Sequence, residues 1–179
     1  MGHVVSKEGI SIDPKMVAEI QKLEYHKSKK EVQSFLWRVN FVKIFVSNFV
    51  EIVKAVTNML RKENQVFWIA EAKVSFNQIK EAISRALVLF NPNFSKDFYV
   101  FSFDFDFTID GVLLQKNEEG HEQPISFFNG ALRDVELNYS AMEKQAYAMV
   151  QSLKDFRVYI IHSHIIAFVP NVVAKEILT

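Results

Sequence analysis

Two aspartates in one short stretch are the first candidates for chemistry in this sequence. Asp104 and Asp106 lie in FSFDFDFT, residues 101–108, where aromatic and polar residues alternate strictly. Such alternation predicts a half-buried β-strand. On one face of that strand the carboxylates would stand about 7 Å apart, and paired carboxylates are ligands for Mg²⁺. No third ligand follows at a fixed spacing, so the solvated face of an amphipathic strand explains the same residues.

A second pair of possible metal ligands is formed by His162 and His164, which would share one face of an extended segment. Zinc needs further ligands, and the chain contains no cysteine. Ordinary polar residues of a strand explain the pair equally well. We therefore predict no metal site. The lack of cysteine also excludes disulfides and fits a reducing compartment.

The elements around the aspartates are typical of a small sheet with one helix. We expect strands over residues 101–108, 111–114, 124–128 and 164–169, a helix over 138–155 and a short C-terminal helix over 171–178. A sheet this small must bury one side. The predicted core contact joins Phe101, Phe103, Phe105 and Phe107 to Met142, Ala146, Met149 and Val150.

The first half of the chain is typical of a helical unit. Asp13 and Pro14 indicate one helix start, and Ser28 with Glu31 forms a capping-box pattern at another. Apolar spacing predicts helices over residues 14–23, 28–46, 48–60 and 72–87, with a linker over 91–96.

The outer face of the second helix combines aromatic and basic residues. It carries Lys30, Gln33, Trp37, Arg38, Asn40 and Phe41, opposite the apolar stripe. Such interleaving suits a groove or a stacked base of a nucleic acid. Packing of Trp37 and Phe41 on another domain or subunit explains the same pattern.

The charge of the chain is zero overall but unevenly spread. Residues 1–62 carry 11 Lys/Arg and 6 Asp/Glu, whereas residues 63–179 carry 10 and 15. A basic first third suggests contact with a polyanion, although a solvated helical surface has the same composition. No apolar run reaches the roughly 18 residues of a membrane span, and no signal-peptide pattern occurs. We therefore expect a protein of the cytoplasm or nucleus without a membrane partner.

The strand with the two aspartates resembles the opening hairpin of the RNase H domain in gypsy-class LTR-retrotransposon Pol polyproteins. There, a T-D-A-S-type motif precedes I-G-A-V-L-x-Q, and residues 102–115, SFDFDFTIDGVLLQ, match it without a gap. Three further blocks follow in the family's order, namely PISFFNGAL, YSAMEKQ and FRVYI. Upstream, the end of the reverse-transcriptase palm and its thumb are similar to GHVVSKEGISIDP and KKEVQSFLWRVNF. The resemblance implies an α+β fold, with the last palm hairpin and helical thumb in residues 1–92 and a C-terminally truncated RNase H-like domain in residues 97–179.

The resemblance also identifies positions for catalysis. RNase H holds two Mg²⁺ ions with converging carboxylates. The family's three carboxylate positions correspond to Phe103, Gln145 and Pro170. Asp104 is not expected to replace the first carboxylate, because a shift of one residue in a strand points the side chain to the opposite face. We therefore expect no catalytic residue and no cofactor, with Mg²⁺ required only if RNase H activity survives. The Y-x-D-D motif of the polymerase is absent as well.

Three functions fit this resemblance. The first, which we predict, is a catalytically inactive tether or nucleic-acid-binding connector beside the rest of a Pol polyprotein. The second is an active ribonuclease of RNA–DNA hybrids. The third is a decaying reading frame without function, which is favoured by Ile69 standing where the family has a helix-capping threonine.

For a nucleic acid, the resemblance implies contacts in two segments. Gly2 and His3 fall in the primer grip, and the thumb helix tracks the minor groove of the template–primer duplex. Trp37 stands where the family has a glycine, which permits the closest backbone approach. The predicted contacts are Gly2, His3, Lys30, Gln33, Trp37, Arg38, Asn40 and Phe41. Because an indole would hold the duplex away, we expect weak, salt-dependent binding to an RNA–DNA hybrid or a DNA duplex.

Overall fold

The computed structural model describes residues 2–61 and 66–168, and the chain begins with a hairpin. Strands β1 (His3–Val5) and β2 (Gly9–Ile12) pair antiparallel. In the turn between them, the Ser6 backbone N–H donates to the Gly9 carbonyl at 2.8 Å. Strand β3 (Leu89–Phe90), much later in the chain, pairs with β2 and completes a three-stranded sheet.

Four helices, here called the helical unit, follow the hairpin. They are α1 (Pro14–Lys22), α2 (Lys29–Asn40), α3 (Phe49–Met59) and α4 (Ala70–Ser84). The Asp13 side chain accepts from the Lys15 N–H, and Ser28 and Glu31 cap α2 reciprocally. These two predicted helix starts are confirmed. The buried faces of the helices form one core, whose fully enclosed members include Val32, Val56 and Ile79.

The second and third helices differ in part from the prediction. Helix α2 ends at Asn40, and a 3-10 turn over Phe41–Phe45 replaces its predicted continuation. Asn48 precedes α3 as predicted, but its side chain makes no capping hydrogen bond. Instead, the Phe49 N–H donates to Asn129 Oδ1, 80 residues away, at 2.7 Å. A tertiary contact thus supplies the acceptor for the first backbone N–H of α3.

The second sheet has four strands in the order β6-β5-β4-β7. They are β4 (Phe98–Asp104), β5 (Thr108–Lys116), β6 (Glu122–Ala131) and β7 (Ile165–Phe168). Strands β4, β5 and β6 pair antiparallel, whereas β7 runs parallel to β4. A parallel pair needs a crossover, which is provided here by α5 (Ala141–Asp155) and the short α6 (Arg157–Ile160). Gly111 lets α5 approach β5 closely, because a Cβ there would lie 2.2 Å from Ser152 Oγ.

The face of β4 that α5 covers is not the predicted one. Phe98, Val100 and Ser102 are buried, whereas Phe103 is 45% exposed. Strand β4 ends at Asp104, so Phe105 and Phe107 lie in the turn to β5. The prediction that Phe101, Phe103, Phe105 and Phe107 line the core against α5 is therefore wrong. Both alternating sets of the strand contain large apolar residues, so the alternation did not decide which set faces the helix.

The helical unit and the sheet have separate hydrophobic cores, with Phe127 of β6 packed against the helical core. The division into residues 1–92 and 97–179 stays a prediction. Val169, Pro170 and the predicted helix over 171–178 lie outside the described residues. Within the described residues, no helix is both long enough and apolar enough to cross a membrane.

Candidate nucleic-acid interface

Helix α2 presents the predicted interface to solvent. Its inner face is buried, with Val32, Phe35 and Val39 at most 3% exposed. On its outer face Trp37 is 82% exposed, more than any other exposed large hydrophobic side chain in the described residues. The outer-face side chains Lys30, Gln33, Arg38 and Asn40 are exposed too. An indole with so little protein contact is free to meet a ligand or a partner. Binding of a nucleic acid to these residues stays a prediction.

Phe41 does not belong to that exposed face. It begins the 3-10 turn after α2, is half-buried and packs against the helical core. A Cβ on Gly2 would lie 2.3 Å from Phe41 Cζ, so the ring lies directly beneath the start of the hairpin. The prediction that Phe41 continues the outward row of Trp37 is wrong, because the helix turns into a 3-10 turn before it. The contact does place exposed His3 next to the end of α2.

The cation nearest to Trp37 in sequence, Arg38, is only weakly engaged within the protein. Its guanidinium lies 3.9 Å from a carboxylate oxygen of Glu19 in α1, and both side chains are largely exposed. Exposed ion pairs contribute about 0–1 kcal/mol. Arg38 therefore remains available to a phosphate.

A groove between the helical unit and the sheet starts where α2 ends. It has a volume of about 1070 Å³, and Asn40 lies at its edge. Its charged lining residues are Glu51, Lys54, Arg61, Arg133 and Asp134. Lys54 Nζ lies 3.9 Å from the centroid of the Phe107 ring. Sequence reasoning did not find this groove, because its walls are formed by segments distant in the chain.

Gln145, which the resemblance aligns with a family carboxylate, is part of the packed interior. Its side chain is 3% exposed. Nε2 donates to the Ser102 carbonyl at 3.1 Å and to Ser102 Oγ at 2.9 Å. The amide therefore ties α5 to β4, where the resemblance implies a metal ligand.

Ser102, and not Phe103, is the β4 residue that faces Gln145. Phe103 lies opposite Asp110 on the other face of the sheet, which is turned away from α5. Asp104 shares the face of Ser102, since the two residues are two apart in one strand. The prediction that Asp104 points away from the helix is therefore wrong, because the even-numbered residues of β4, and not the odd-numbered ones, face α5.

Other acidic and histidine side chains near these positions are used in local contacts. Glu143 accepts from the Ser140 N–H at 2.8 Å and closes the capping box of α5. His164 Nδ1 lies 3.0 Å from Asp97 Oδ1, and His162 lies in a turn with a φ of 65°. In the described parts of the chain, no group of three or more His, Asp or Glu residues is arranged to hold a metal ion.

Comparisons with known proteins relate these features to a family. The sequence profile described as "RNase H-like domain found in reverse transcriptase" matches residues 68–167. The Pol polyprotein of the Drosophila melanogaster transposon 297 is 35% identical over 162 residues, which are 90% of this chain and 15% of the polyprotein. The Pol polyprotein of transposon opus from the same species is 28% identical over 171 residues, 89% of this chain and 17% of the polyprotein. The chain thus spans less than a fifth of the length of these relatives.

Two solved structures share the arrangement of nearly the whole chain. The foamy viral protease-reverse transcriptase in complex with dsDNA superposes with a TM-score of 0.82 over 99% of this chain and 37% of its own. The same enzyme in complex with an RNA/DNA hybrid superposes with a TM-score of 0.82, covering 99% of this chain and 24% of the enzyme chain. At 22% sequence identity, this likeness concerns the fold alone.

Proposed function

This chain belongs to the family of RNase H-like domains found in reverse transcriptase, and we propose that it is a catalytically inactive connector that contacts a nucleic-acid duplex. Its retrotransposon relatives are Pol polyproteins several times its length.

The observation that carries the loss of catalysis is the buried pair of Gln145 and Ser102. Two-metal catalysis requires carboxylates that converge on the ions. The Gln145 amide cannot balance the charge of Mg²⁺, and its Nε2 is already engaged with β4. Phe103 offers no oxygen and lies on the other face of the sheet. Asp104 alone would leave a divalent ion without the acidic partners that it needs.

Contact with a duplex is supported by the surface of the helical unit. Trp37, Lys30 and Arg38 stand exposed on α2, and the groove beside Asn40 continues this surface toward Arg61 and Arg133. The foamy viral enzymes of the same fold were solved on dsDNA and on an RNA/DNA hybrid. A bulky indole at the centre of the outer face is expected to limit close approach, so phosphate contacts would dominate the binding.

The binding experiment is fluorescence anisotropy with a labelled RNA–DNA hybrid, titrated at several salt concentrations. Lys30→Ala should weaken binding and lower the salt slope by about one, because one phosphate contact is lost. Trp37→Gly should tighten binding, because it removes the indole that limits close approach of the duplex. Trp37→Ala should also tighten binding, without the loss of helix stability that glycine causes. The matched control is Lys73→Ala, an exposed lysine on α4.

The outcomes of this titration separate the alternatives. Weaker binding by both Trp37 variants would mean that the indole itself stacks on the nucleic acid. Unchanged binding by all α2 variants would mean that this face meets a protein partner and that the duplex contact is wrong.

A further inference from the structure

One amide on the sheet holds the start of α3 in place. Asn129 of β6 donates from Nδ2 to the carbonyls of Lys43 and Val46, both at 3.0 Å. Its Oδ1 accepts from the Phe49 N–H at 2.7 Å. Three backbone groups of residues 43–49 are thus bound by one side chain of the other unit. Such groups at a helix start are costly to bury unpaired, so this contact fixes where α3 begins.

Asp110 lies directly opposite Asn129 in the β5–β6 register and faces the same segment. It is only 4% exposed. Burial raises the pKa of its carboxyl to about 6, although a hydrogen bond from the Asn48 backbone acts in the opposite direction. A buried acid is therefore located where the helical unit meets the sheet.

Two acceptors at this contact lack a donor. Asp110 Oδ1 and Asn48 Oδ1 are both buried, and neither has a hydrogen-bond partner among the described residues. Asn48 is also the residue whose backbone interacts with the Asp110 carboxyl. Leaving a buried acceptor unpaired costs about 1–3 kcal/mol. The buried Thr108 hydroxyl on the same face has no partner within the described residues either, and a proton on Asp110 adds a further donor to this contact.

The surroundings of Asp110 provide no compensating charge. Strand β4 contributes Phe103 opposite it, β6 contributes Asn129, and β5 contributes Thr108 on the same face. On the facing segment the ionisable residue is Lys43, whose side chain is exposed and whose charge acts on Asp155. Of the acids nearest in sequence, Asp104 is half-buried on the opposite face of the sheet, and Asp106 is exposed in the turn. Within the described residues, Asp110 forms no ion pair.

We infer that Asp110 and Asn129 form a proton-dependent clasp between the sheet and the helical unit, closed when Asp110 is protonated and loosened when it is ionised. In the closed state the acid is neutral, and both units are joined through the start of α3. Ionisation places a charge without a cationic partner in the contact and removes the donor that the protonated carboxyl supplies. The clasp would thereby couple pH to the position of α3, which forms one wall of the groove.

The sign and size of the effect follow from proton linkage. With a closed-state pKa of about 6 and an ordinary value of 3.8 when open, the closed state binds more protons between these values. Closure is therefore favoured at low pH and weakens as the pH rises through about 6. Opening of the clasp should increase about tenfold between pH 5 and pH 7.5.

The test is hydrogen exchange of the intact chain at pH 5 and pH 7.5, with rates divided by the intrinsic exchange rates. We expect protection of the Phe49 and Ile52 amides, which donate to Asn129 Oδ1 and to the Asn48 carbonyl, to fall about tenfold at the higher pH, while amides of α4 change little. In Asp110→Asn, which keeps the shape and supplies a neutral donor, the pH effect should disappear. Asp106→Asn removes an exposed acid of the same hairpin and should behave like the unmodified chain.

Two results would overturn the clasp. One is equal protection of the Phe49 and Ile52 amides at both pH values in the unmodified chain, which needs no variant. The other is an unchanged pH effect in Asp110→Asn. If Asp110→Asn does not fold, Asn129→Ala provides the second variant, and the Phe49 amide should then exchange fast at both pH values. Persistent protection of that amide would also refute the clasp.

Discussion

Replacing Gln145 by glutamate restores the residue type that the family has at this position, and we expect it to destabilise the protein. Gln145 Nε2 donates to the Ser102 carbonyl and hydroxyl in a site that is 3% exposed. An ionised carboxylate cannot donate to that carbonyl, and it would be buried without a cation. The carboxylate escapes this penalty only by taking up a proton.

The free-energy cost of protonating this carboxylate sets the size of the destabilisation. Keeping a glutamate with an ordinary pKa of about 4.3 protonated costs about 4 kcal/mol at pH 7.5 and about 1 kcal/mol at pH 5. The protonated acid can donate to the Ser102 carbonyl again, so little further loss is expected. Gln145→Glu should therefore lower the free energy of unfolding by up to about 4 kcal/mol at pH 7.5 and by about 1 kcal/mol at pH 5.

The assay is urea denaturation of both proteins at the two pH values. The matched control is Gln78→Glu, an exposed glutamine of α4, which should cost little at either pH. Equal stability of Gln145→Glu and the unmodified chain at pH 7.5 would contradict the burial of residue 145. It would mean that residue 145 reaches water and that a carboxylate there could meet a hydrated metal ion.

Three further predictions concern stability, each checked by denaturation. Ile69→Thr should stabilise the chain by about 1 kcal/mol, because Ile69 precedes α4 without a side-chain cap. Phe98→Ala should cost about 3–5 kcal/mol, since Phe98 is fully buried, whereas Phe105→Ala at the exposed turn should cost at most about 1 kcal/mol. Equal losses of stability would contradict the finding that the face of β4 with Phe98 is the one packed against α5. Burial lowers the pKa of His26, so unfolding takes up a proton and stability falls as the pH drops through 6.5. The loss for His26→Gln relative to the unmodified chain should accordingly be smaller at pH 5 than at pH 8, and a constant difference would contradict this.

Local sequence patterns predicted the parts of the fold that local contacts determine. Asp13 at α1 and the Ser28–Glu31 pair at α2 are helix starts whose partners lie within three residues. These capping contacts need no information from the rest of the chain. The family resemblance and the α+β class were confirmed too. They depend on many short blocks in a fixed order, each of which can be recognised within a short stretch of sequence.

The parts that could not be predicted depend on distant contacts. Whether Phe98 or Phe103 faces inward is decided by where α5 packs, and both sets of β4 residues are apolar enough to be buried. The start of α3 is fixed by Asn129, 80 residues after Phe49. The surroundings of Asp110 follow from pairing of β5 with β6 and from the approach of the helical unit. No pattern within a short window contains these partners.

The direction of the β4 side chains also changes which residue is compared with the family's first carboxylate. An alignment without gaps places Phe103 at the first position, yet Ser102 is the residue that meets Gln145. Side-chain direction in a strand changes with every residue, so an error of one position in such a comparison reverses the conclusion. The candidate site is therefore defined by the contact between α5 and β4 and not by the alignment alone.

We propose that this chain contacts a duplex but does not cleave it. The most direct measurement incubates the purified chain with an end-labelled RNA–DNA hybrid in Mg²⁺ and, separately, in Mn²⁺, at a salt concentration where anisotropy shows the hybrid bound. We expect the RNA strand to remain intact in both metals while the hybrid is retained. RNA cleavage that increases with protein concentration, is abolished by chelation of the metal and is lost in Asp104→Asn would contradict the account.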